Sequence, residues 1–326
     1  MGTYGKTPKT FVIALGGNSI LRANEKGTVE EQYSNLWQTG EQLTELLASE
    51  NRIVITHGNG PHVGNLLLVS EMAKDVVPVM PLDICGAATQ GIMGFMIQRI
   101  LANCLRKPGA RHNISTIVTQ VIVNKDDPAF KNPTKPIGPF YNLEETQKLR
   151  QEKGWTMIED SNRGYRRVVP SPIPVNIQQA RVIISMLDAG EIVIAVGGGG
   201  IPVVRENSGS LTGVEAVIDK DYASSLLAIE IDADVILILT AVEHVFRDFG
   251  RPSQQPLNHL NLVETKRLLE EGQFGTGSME PKIRAAIFFL EETNKRFPHR
   301  KREVIITLPG TAVKALQGKT GTRITW

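Results

Sequence analysis

The stretch FVIALGGN (residues 11–18) is a short apolar run that ends in small residues. The pattern returns in IVITHGNGP (53–61) and in IVIAVGGGG (192–200). A continuous apolar run is typical of a strand buried in a parallel sheet, and a glycine turn that leads into a helix presents backbone N–H groups to a ligand. Three such turns predict an anion cradle, with phosphate as the favoured anion and nucleotide chemistry as the favoured function.

Composition and charge narrow the class of protein. The 326 residues are 41% hydrophobic and carry 36 basic against 34 acidic side chains, so no bulk charge favours nucleic-acid or membrane binding. Cys85 and Cys104 lie in an apolar stretch, which predicts free buried thiols in a reducing compartment. Residues 3–9 are polar, which predicts no signal peptide, and the uncharged run between Asp83 and Arg99 is too short to span a membrane. These features predict a cytoplasmic protein.

Strand and helix patterns alternate along the chain. Apolar runs predict strands at residues 11–15, 53–56, 114–123, 192–196, 235–239 and 304–307. Helical periodicity predicts helices at residues 29–49, 82–105, 177–189 and 278–292, with Gly190 ending the third. The alternation favours an α/β fold with a mainly parallel sheet and helices on both faces.

Residues 124–174 interrupt this alternation. The segment contains seven prolines, and only residues 143–153 keep a helical pattern. We expect an insertion that forms a small lobe or lid, although a passive surface loop is the alternative. Lids of phosphoryl-transfer enzymes exclude water and bring in charge, so the segment matters for function.

Two kinase-like strings do not carry the chemistry that they suggest. GKT at residues 318–320 resembles the end of a Walker A loop, but Val313 stands where a glycine is required, so we expect a turn. The DFG within residues 247–250 lacks the other protein-kinase motifs. No zinc-ligand spacing and no GxSxG nucleophile elbow is found in the sequence.

Three lysines are the stronger candidates. Lys220 lies between Asp219 and Asp221 before a predicted helix, Lys282 lies in the first turn of another, and Lys135 lies in the insertion. A cation in a first turn opposes the helix dipole, and a bound phosphate would explain Lys282. The two aspartates are able to cap a helix, to hold Lys220, or to bind Mg²⁺ through water. For any single lysine, a solvated surface charge is the alternative.

Over essentially its whole length the sequence resembles the carbamate kinases of the amino-acid kinase superfamily. The resemblance rests on IALGGNSI (13–20), THGNGP (56–61), DPAFKNPTKPIGPFY (127–141), EDSNRGYRRVVPSP (159–172), GGGGIPV (197–203), AVIDKD (216–221), GSMEPK (277–282) and GKTGT (318–322). The insertion that carries NPTKP is specific to carbamate kinases. Other amino-acid kinases, such as acetylglutamate kinase, usually have a lysine in the first strand turn, where this chain has only Gly16, Gly17 and Asn18.

The resemblance implies one amino-acid kinase domain (1–326), built as an open eight-stranded αβα sandwich. It implies a carbamate lobe at about 1–190, with a protruding subdomain at about 124–174, and a nucleotide lobe at about 191–326. It further implies a homodimer and reversible, Mg²⁺-dependent phosphoryl transfer between ATP and carbamate. Physiologically, ADP and carbamoyl phosphate would form ATP in arginine, purine or allantoin breakdown. The alternatives are another acid kinase with an acetylglutamate-like substrate, and a catalytically weak nucleotide sensor.

The resemblance also implies roles for individual residues. The catalytic set would be Lys135, Lys220, Lys282 and Asp219, with no protein metal site and with Mg²⁺ carried by the nucleotide. Carbamate and phosphate would contact Gly16, Gly17, Asn18, Gly58, Asn59 and Gly60. The nucleotide would contact Gly198, Gly199, Asp221, Val242, Phe246 and Met279. The chain departs from the family pattern at His62, which is commonly Gln, at Ala241, where many members carry Asp, and at Glu280, often a smaller residue.

Overall fold

The computed structural model describes residues 8–22, 25–106, 113–160, 164–298 and 300–326, without the side chain of Asn18. The predicted role of the Asn18 side chain and the polar stretch at residues 3–7 therefore lie outside the described residues. The helices are α1 (Val29–Leu47), α2 (Gly60–Met72), α3 (Leu82–Cys104), α4 (Leu143–Lys153), α5 (Ala180–Asp188), α6 (Lys220–Glu230), α7 (Leu262–Glu270), α8 (Glu280–Arg296) and α9 (Ala312–Leu316). The strands are β1 (Thr10–Leu15), β2 (Arg52–His57), β3 (Ile114–Thr116), β4 (Gln120–Val123), β5 (Lys135–Tyr141), β6 (Met157–Glu159), β7 (Tyr165–Val169), β8 (Pro174–Ile177), β9 (Ile192–Ile194), β10 (Ile201–Arg205), β11 (Leu211–Gly213), β12 (Val235–Leu239), β13 (Val245–Arg247), β14 (Gln255–Leu257), β15 (His259–Asn261), β16 (Glu303–Thr307) and β17 (Thr322–Thr325).

Eight strands form the main sheet in the order β15-β17-β16-β12-β1-β2-β9-β3. Neighbouring strands pair in parallel throughout, except for the antiparallel pair of β16 and β17. The glycine turns after β1 and β2 therefore meet at one edge of the sheet, where α/β folds bind ligands. The predicted mainly parallel αβα sandwich with eight strands is confirmed.

The central strands are buried on both faces, and this explains why they read as continuous apolar runs. On β1, Val12 and Ala14 pack into a core with α5, α6 and α8. Ile13 and Leu15 pack into a second core with α1, α3 and α9. Successive strand side chains point to opposite faces, so one strand serves both helical layers.

Most of the insertion forms its own small structure. Strands β5, β7 and β6 make an antiparallel three-stranded sheet, and α4 lies between β5 and β6 in the chain. Asn142 begins α4 with a capping box, and Gly154 ends it at a φ of 65°. Strand β8 returns to a separate four-stranded sheet with β4, β10 and β11.

The predicted strand at residues 114–123 is wrong, because two strands occupy it. Strand β3 belongs to the main sheet and β4 to the four-stranded sheet. The Gln90 side chain accepts a hydrogen bond from the Thr119 N–H at 2.7 Å and donates to the Thr119 carbonyl at 3.2 Å. The Thr119 N–H is therefore bonded to a side chain rather than to a neighbouring strand, while the Thr119 carbonyl also accepts from the Ile201 N–H of β10 at 2.9 Å.

Other predicted bounds also change. The strand predicted at 192–196 ends at Ile194, because Val196 adopts a φ of 54° before the glycines. The third glycine turn leads into β10, not into a helix. The helix predicted at 177–189 spans Ala180–Asp188, since Ile177 pairs with Val121 in the four-stranded sheet. The remaining helices shift at their ends: 29–49 becomes Val29–Leu47, 82–105 becomes Leu82–Cys104, and 278–292 becomes Glu280–Arg296.

Both cysteines are free, as predicted. Cys85 is buried, but Cys104 is only partly buried, so the prediction of a buried thiol is wrong for Cys104. Burial raises the pKa of both thiols, which keeps them protonated at neutral pH. Among the described residues, no helix combines the length and apolar character that a membrane span needs.

Candidate active site

The first turn of α6 forms the centre of a compact charge cluster. The buried carboxylate of Asp221 accepts from Lys220 Nζ at 2.5 Å and from Lys282 Nζ at 3.1 Å. Lys282 belongs to α8, so one aspartate joins two helices and two cations. Asp221 also explains why Lys282 is stable in a first turn, a position where we expected a bound phosphate to be the reason.

Charge and burial compete at this cluster. Burial alone would raise the pKa of Asp221, but Lys220 and Lys282 outweigh it and hold that pKa well below its usual range. Burial lowers the pKa of Lys220, partly opposed by Asp221. Lys220 and Lys282 are partly buried and share the one buried carboxylate of Asp221, so this pair of cations carries excess positive charge that an anionic ligand would balance.

Lys135 reaches the same place from the small lobe. Its Nζ lies 2.6 Å from Asp219 Oδ2, while Asp219 Oδ1 accepts from the N–H groups of Asp221 and Tyr222 and so caps α6. The three predicted lysines therefore converge on two neighbouring aspartates. The capping and lysine-holding roles of these aspartates are both present.

The second glycine turn borders this cluster, and the first turn lies at the same end of the parallel β1–β2 pair. A Cβ added at Gly58 would lie 3.6 Å from Lys220 Cδ, so this turn lies against the lysine stem. A Cβ at Gly17 or Gly60 would meet nothing within 4 Å, which leaves open space beside both. The Gly16 N–H instead donates to the Leu239 carbonyl at 2.9 Å, so it extends the strand pairing rather than facing a ligand.

The third glycine turn packs against the second. A Cβ at Gly198 would lie 2.1 Å from the Asn59 side-chain nitrogen, and one at Gly199 would lie 2.2 Å from the Ile218 carbonyl. Both glycines also have positive φ values, of 66° and 92°. The Asn59 amide donates to Thr89 Oγ1 at 2.7 Å, so Asn59 lies between the third turn and α3.

Lys282 also lines a cavity of about 320 Å³. Most of its lining is apolar, as in sites for flat organic rings. The lining residues are Thr240, Ala241, Val242, Phe246, Phe249, Gln273, Phe274, Gly275, Ser278, Met279 and Lys282. The predicted nucleotide contacts Val242, Phe246 and Met279 are among them. Of the other predicted contacts, Gly198 and Gly199 lie in the third glycine turn and Asp221 lies in the lysine cluster.

Two uncharged histidines flank the second glycine turn. Burial lowers the pKa of His57 to about 4, and its Nδ1 lies 3.0 Å from the Gly58 carbonyl. Burial also lowers the pKa of His62, whose Nε2 lies 2.7 Å from Gln32 Oε1. His62 thus links α2 to α1 beside the second glycine turn.

Sequence reasoning missed several residues of this region. Phe249, Gln273 and Phe274 line the cavity, but Phe249 belongs to the DFG string that lacks the other protein-kinase motifs, and Gln273 and Phe274 lie outside the quoted motifs. Ser224 was also missed: its hydroxyl lies 2.7 Å from Thr56 Oγ1 and donates to the Lys220 carbonyl at 2.6 Å, which ties β2 to the start of α6. The spacing of Ser224 one helical turn after Lys220 is a signal that was available.

Comparison with known proteins assigns the chain and its fold to a class. The amino acid kinase family model matches residues 9–297. Over 319 residues the chain is 50% identical to carbamate kinase of Thermococcus kodakarensis, which covers 97% of this chain and 99% of that protein. It is 46% identical to carbamate kinase of Clostridium perfringens, covering 96% of this chain and 99% of that protein.

A solved structure agrees with the sequence relatives. The fold matches carbamate kinase from Giardia lamblia bound to AMP-PNP with a TM-score of 0.88 and 42% identity, covering 98% of each chain. The chain therefore belongs to the amino acid kinase family. Within that family, its near-full-length relatives are the carbamate kinases, and the resemblance noted from the sequence motifs is confirmed.

Proposed function

We propose that this protein transfers a phosphoryl group reversibly between a nucleotide and carbamate. The observation that carries the proposal is the convergence of Lys135, Lys220 and Lys282 on Asp219 and Asp221, between the glycine turns and the apolar cavity. The cavity would take the adenine of ADP or ATP, and the turns after β1 and β2 would take carbamate and the phosphoryl group. Near-full-length carbamate kinase relatives support this assignment.

The lysines would act on charge. Phosphoryl transfer needs alignment and neutralisation of the phosphate oxygens more than covalent help from the protein. A lysine about 4 Å from a phosphate oxygen contributes about 4 kcal/mol gross at an effective dielectric constant of 20. Asp221 fixes Lys220 and Lys282 before the ligand arrives, so little reorganisation accompanies the reaction.

Carbamate chemistry also explains the lack of a required base. The attacking carbamate oxygen is already an anion, so no side chain has to remove a proton from it. The neutral histidines His57 and His62 would therefore shape the second turn rather than exchange protons with substrate. Arginine or purine breakdown, the direction toward ATP and a cytoplasmic location stay predictions.

Mg²⁺ fits the site as an ion carried by the nucleotide. Among the described residues, no cluster of three or more His, Cys, Asp or Glu groups is arranged to hold a metal. Mg²⁺ commonly binds one or two carboxylates, substrate phosphates and several waters, and Asp219 offers a carboxylate through water. When bound, the ion would neutralise phosphate charge.

The proposed homodimer has support on the outer layer of the fold. Ile84, Ile92 and Phe95 of α3 are 49%, 43% and 58% exposed in the single chain. Apolar side chains grouped on one helix are typical of an interface between protein copies. The division into a carbamate lobe, a nucleotide lobe and a protruding subdomain remains part of this proposal.

Lysine variants test the proposed roles. We expect Lys220→Ala and Lys135→Ala to lower kcat about 100-fold or more in ATP formation from ADP and carbamoyl phosphate, the scale known for removing one charge-stabilising group. Lys148→Ala, which changes an exposed lysine of α4, is the control and should keep wild-type turnover. Near-wild-type turnover of a folded Lys135 or Lys220 variant would show that its assigned role is wrong.

The same assay separates the alternatives. Turnover of acetylglutamyl phosphate in place of carbamoyl phosphate would favour another acid kinase. ADP binding without turnover of any acyl phosphate would favour a nucleotide sensor. His62 then becomes the first residue to examine, since it lies in the first turn of α2 beside the second glycine turn.

A further inference from the structure

The GKTGT segment (318–322) has no role in the proposed chemistry, but it has a structural role. It follows α9 as a turn, as predicted, and both of its glycines have positive φ, 73° for Gly318 and 76° for Gly321. A Cβ at Gly321 would lie 3.0 Å from Ala315 Cβ, so the turn packs closely on α9. The Lys319 side chain is exposed. The glycines thus shape the backbone, and the two threonines remain to be explained.

Thr322 connects the two strands of a hairpin beside the apolar cavity. Its fully buried hydroxyl accepts a hydrogen bond from the Val245 N–H at 2.7 Å and donates one to the Leu257 carbonyl at 2.5 Å. Val245 and Leu257 lie directly opposite each other in the β13–β14 pair. One hydroxyl therefore bridges both strands at the point where the hairpin begins.

Thr320 holds the segment just before this hairpin. Its hydroxyl donates to Glu243 Oε1 at 2.5 Å. Glu243 follows Val242, which lines the cavity, and precedes β13, whose Phe246 also lines it. The two threonines are thus attached at Glu243 and Val245, which lie in the chain between the cavity residues Val242 and Phe246.

We propose that Thr320 and Thr322 are positioning residues for nucleotide binding, acting through the segment from Ala241 to Phe246. The proposal rests on the proposed function only in taking the ligand of the cavity to be ADP or ATP. A cavity wall that is ordered before binding costs less conformational entropy when the ligand arrives. Without the Thr322 hydroxyl, the buried Val245 N–H and Leu257 carbonyl lose their shared partner, and the wall is free to shift.

The test is calorimetric binding of ADP to Thr322→Val and Thr320→Val, in which the hydroxyl is lost and the shape is kept. We expect the Kd for ADP to rise about tenfold for Thr322→Val, the scale of a buried hydrogen-bonding group left unpaired, and less for Thr320→Val. In the ATP-forming assay, the KM for ADP should rise and the KM for carbamoyl phosphate should stay within about twofold of wild type. Thr322→Ser keeps the hydroxyl and should restore ADP binding.

Thr10→Val is the matched control. Thr10 is buried at the start of β1, where its hydroxyl contacts Arg52. This is the amino-terminal end of the strand, opposite to the end that carries the glycine turn. Thr10→Val should lower thermal stability without changing the Kd for ADP. The positioning role is contradicted if a folded Thr322→Val, or Thr320→Val should the former not fold, binds ADP as the wild type does. Failure of the wild type itself to bind ADP would instead contradict the proposed function.

Discussion

At the residue scale, burial rather than a neighbouring charge controls His57. Its side chain is 1% exposed, and burial lowers its pKa from 6.5 to about 4, with smaller contributions from His62 and Lys220. Above pH 6.5 the imidazole is neutral in both the folded and the unfolded chain. As the pH falls from 6.5 toward 4, only the unfolded chain gains the proton, so the folded state loses stability.

This difference predicts a measurable pH dependence of stability. We expect His57 to account for a loss of about 3 kcal/mol of unfolding free energy between pH 6.5 and pH 4, from about 2.5 pKa units. Urea denaturation of wild type and His57→Gln at a series of pH values measures it. The variant should show a shallower slope over this window. The stability that depends on the Asp221 carboxylate is lost only at lower pH, because the pKa of Asp221 is held well below its usual range. Parallel slopes for the two proteins would contradict the burial argument.

The residues that meet at the candidate site were predictable from the sequence to different degrees, while their roles stay predictions. The three lysines follow from motifs, because each stands beside glycine, proline or aspartate in a short segment. The meeting of Lys220 and Lys282 on one carboxylate does not, since Asp221 and Lys282 are 61 positions apart and come together only when α6 packs on α8. The cavity residues Phe249 and Phe274 were missed for a different reason. A single aromatic residue in a loop is usually interpreted as ordinary packing.

At the element scale, the position of the small lobe depends on a contact between two glycines. A Cβ at Gly64 of α2 would lie 2.1 Å from Gly138 Cα of β5, so backbone lies on backbone. Close by in the fold, Lys153 of α4 pairs with Glu71 of α2. Since β5 begins at Lys135, we expect the glycine contact to set how closely that lysine approaches Asp219.

Gly64→Ala tests this coupling. The added methyl has to move the strand backbone of the lobe, and we expect kcat to fall at least tenfold because small misplacements of a positioned group are costly. The main sheet does not meet the methyl, so the fold should remain. Gly86→Ala on α3, where a Cβ meets nothing within 4 Å, is the control for kinetics and thermal unfolding. Equal turnover of both variants would show that the lobe position is not set here.

Strands that are buried on both faces were predicted correctly, because such burial gives a continuous apolar run in the sequence. The strands β1, β2, β12 and β16 lie within about one residue of their predicted bounds because their apolar runs are uninterrupted. The split at residues 117–119 was not predictable from the same signal, since Ile117 and Val118 continue the apolar run. The bend depends on hydrogen bonds from Gln90, a side chain of α3.

At the scale of the whole molecule, the exposed apolar side of α3 predicts the assembly. We expect the wild type to sediment as a dimer and Phe95→Asp as a monomer, because a carboxylate at a buried interface lacks a partner. Val263→Asp is the control, since Val263 is 80% exposed on α7. A monomeric wild type, or a Phe95→Asp protein that remains dimeric, would contradict the α3 interface.

We propose that the lysine cluster and the apolar cavity together transfer a phosphoryl group between carbamoyl phosphate and ADP. The most direct test is ATP formation by the purified protein from ADP, Mg²⁺ and carbamoyl phosphate, with acetyl phosphate and acetylglutamyl phosphate as competing donors. We predict rapid ATP formation from carbamoyl phosphate and little from the other two. No ATP from carbamoyl phosphate, with ADP still bound, would contradict the account.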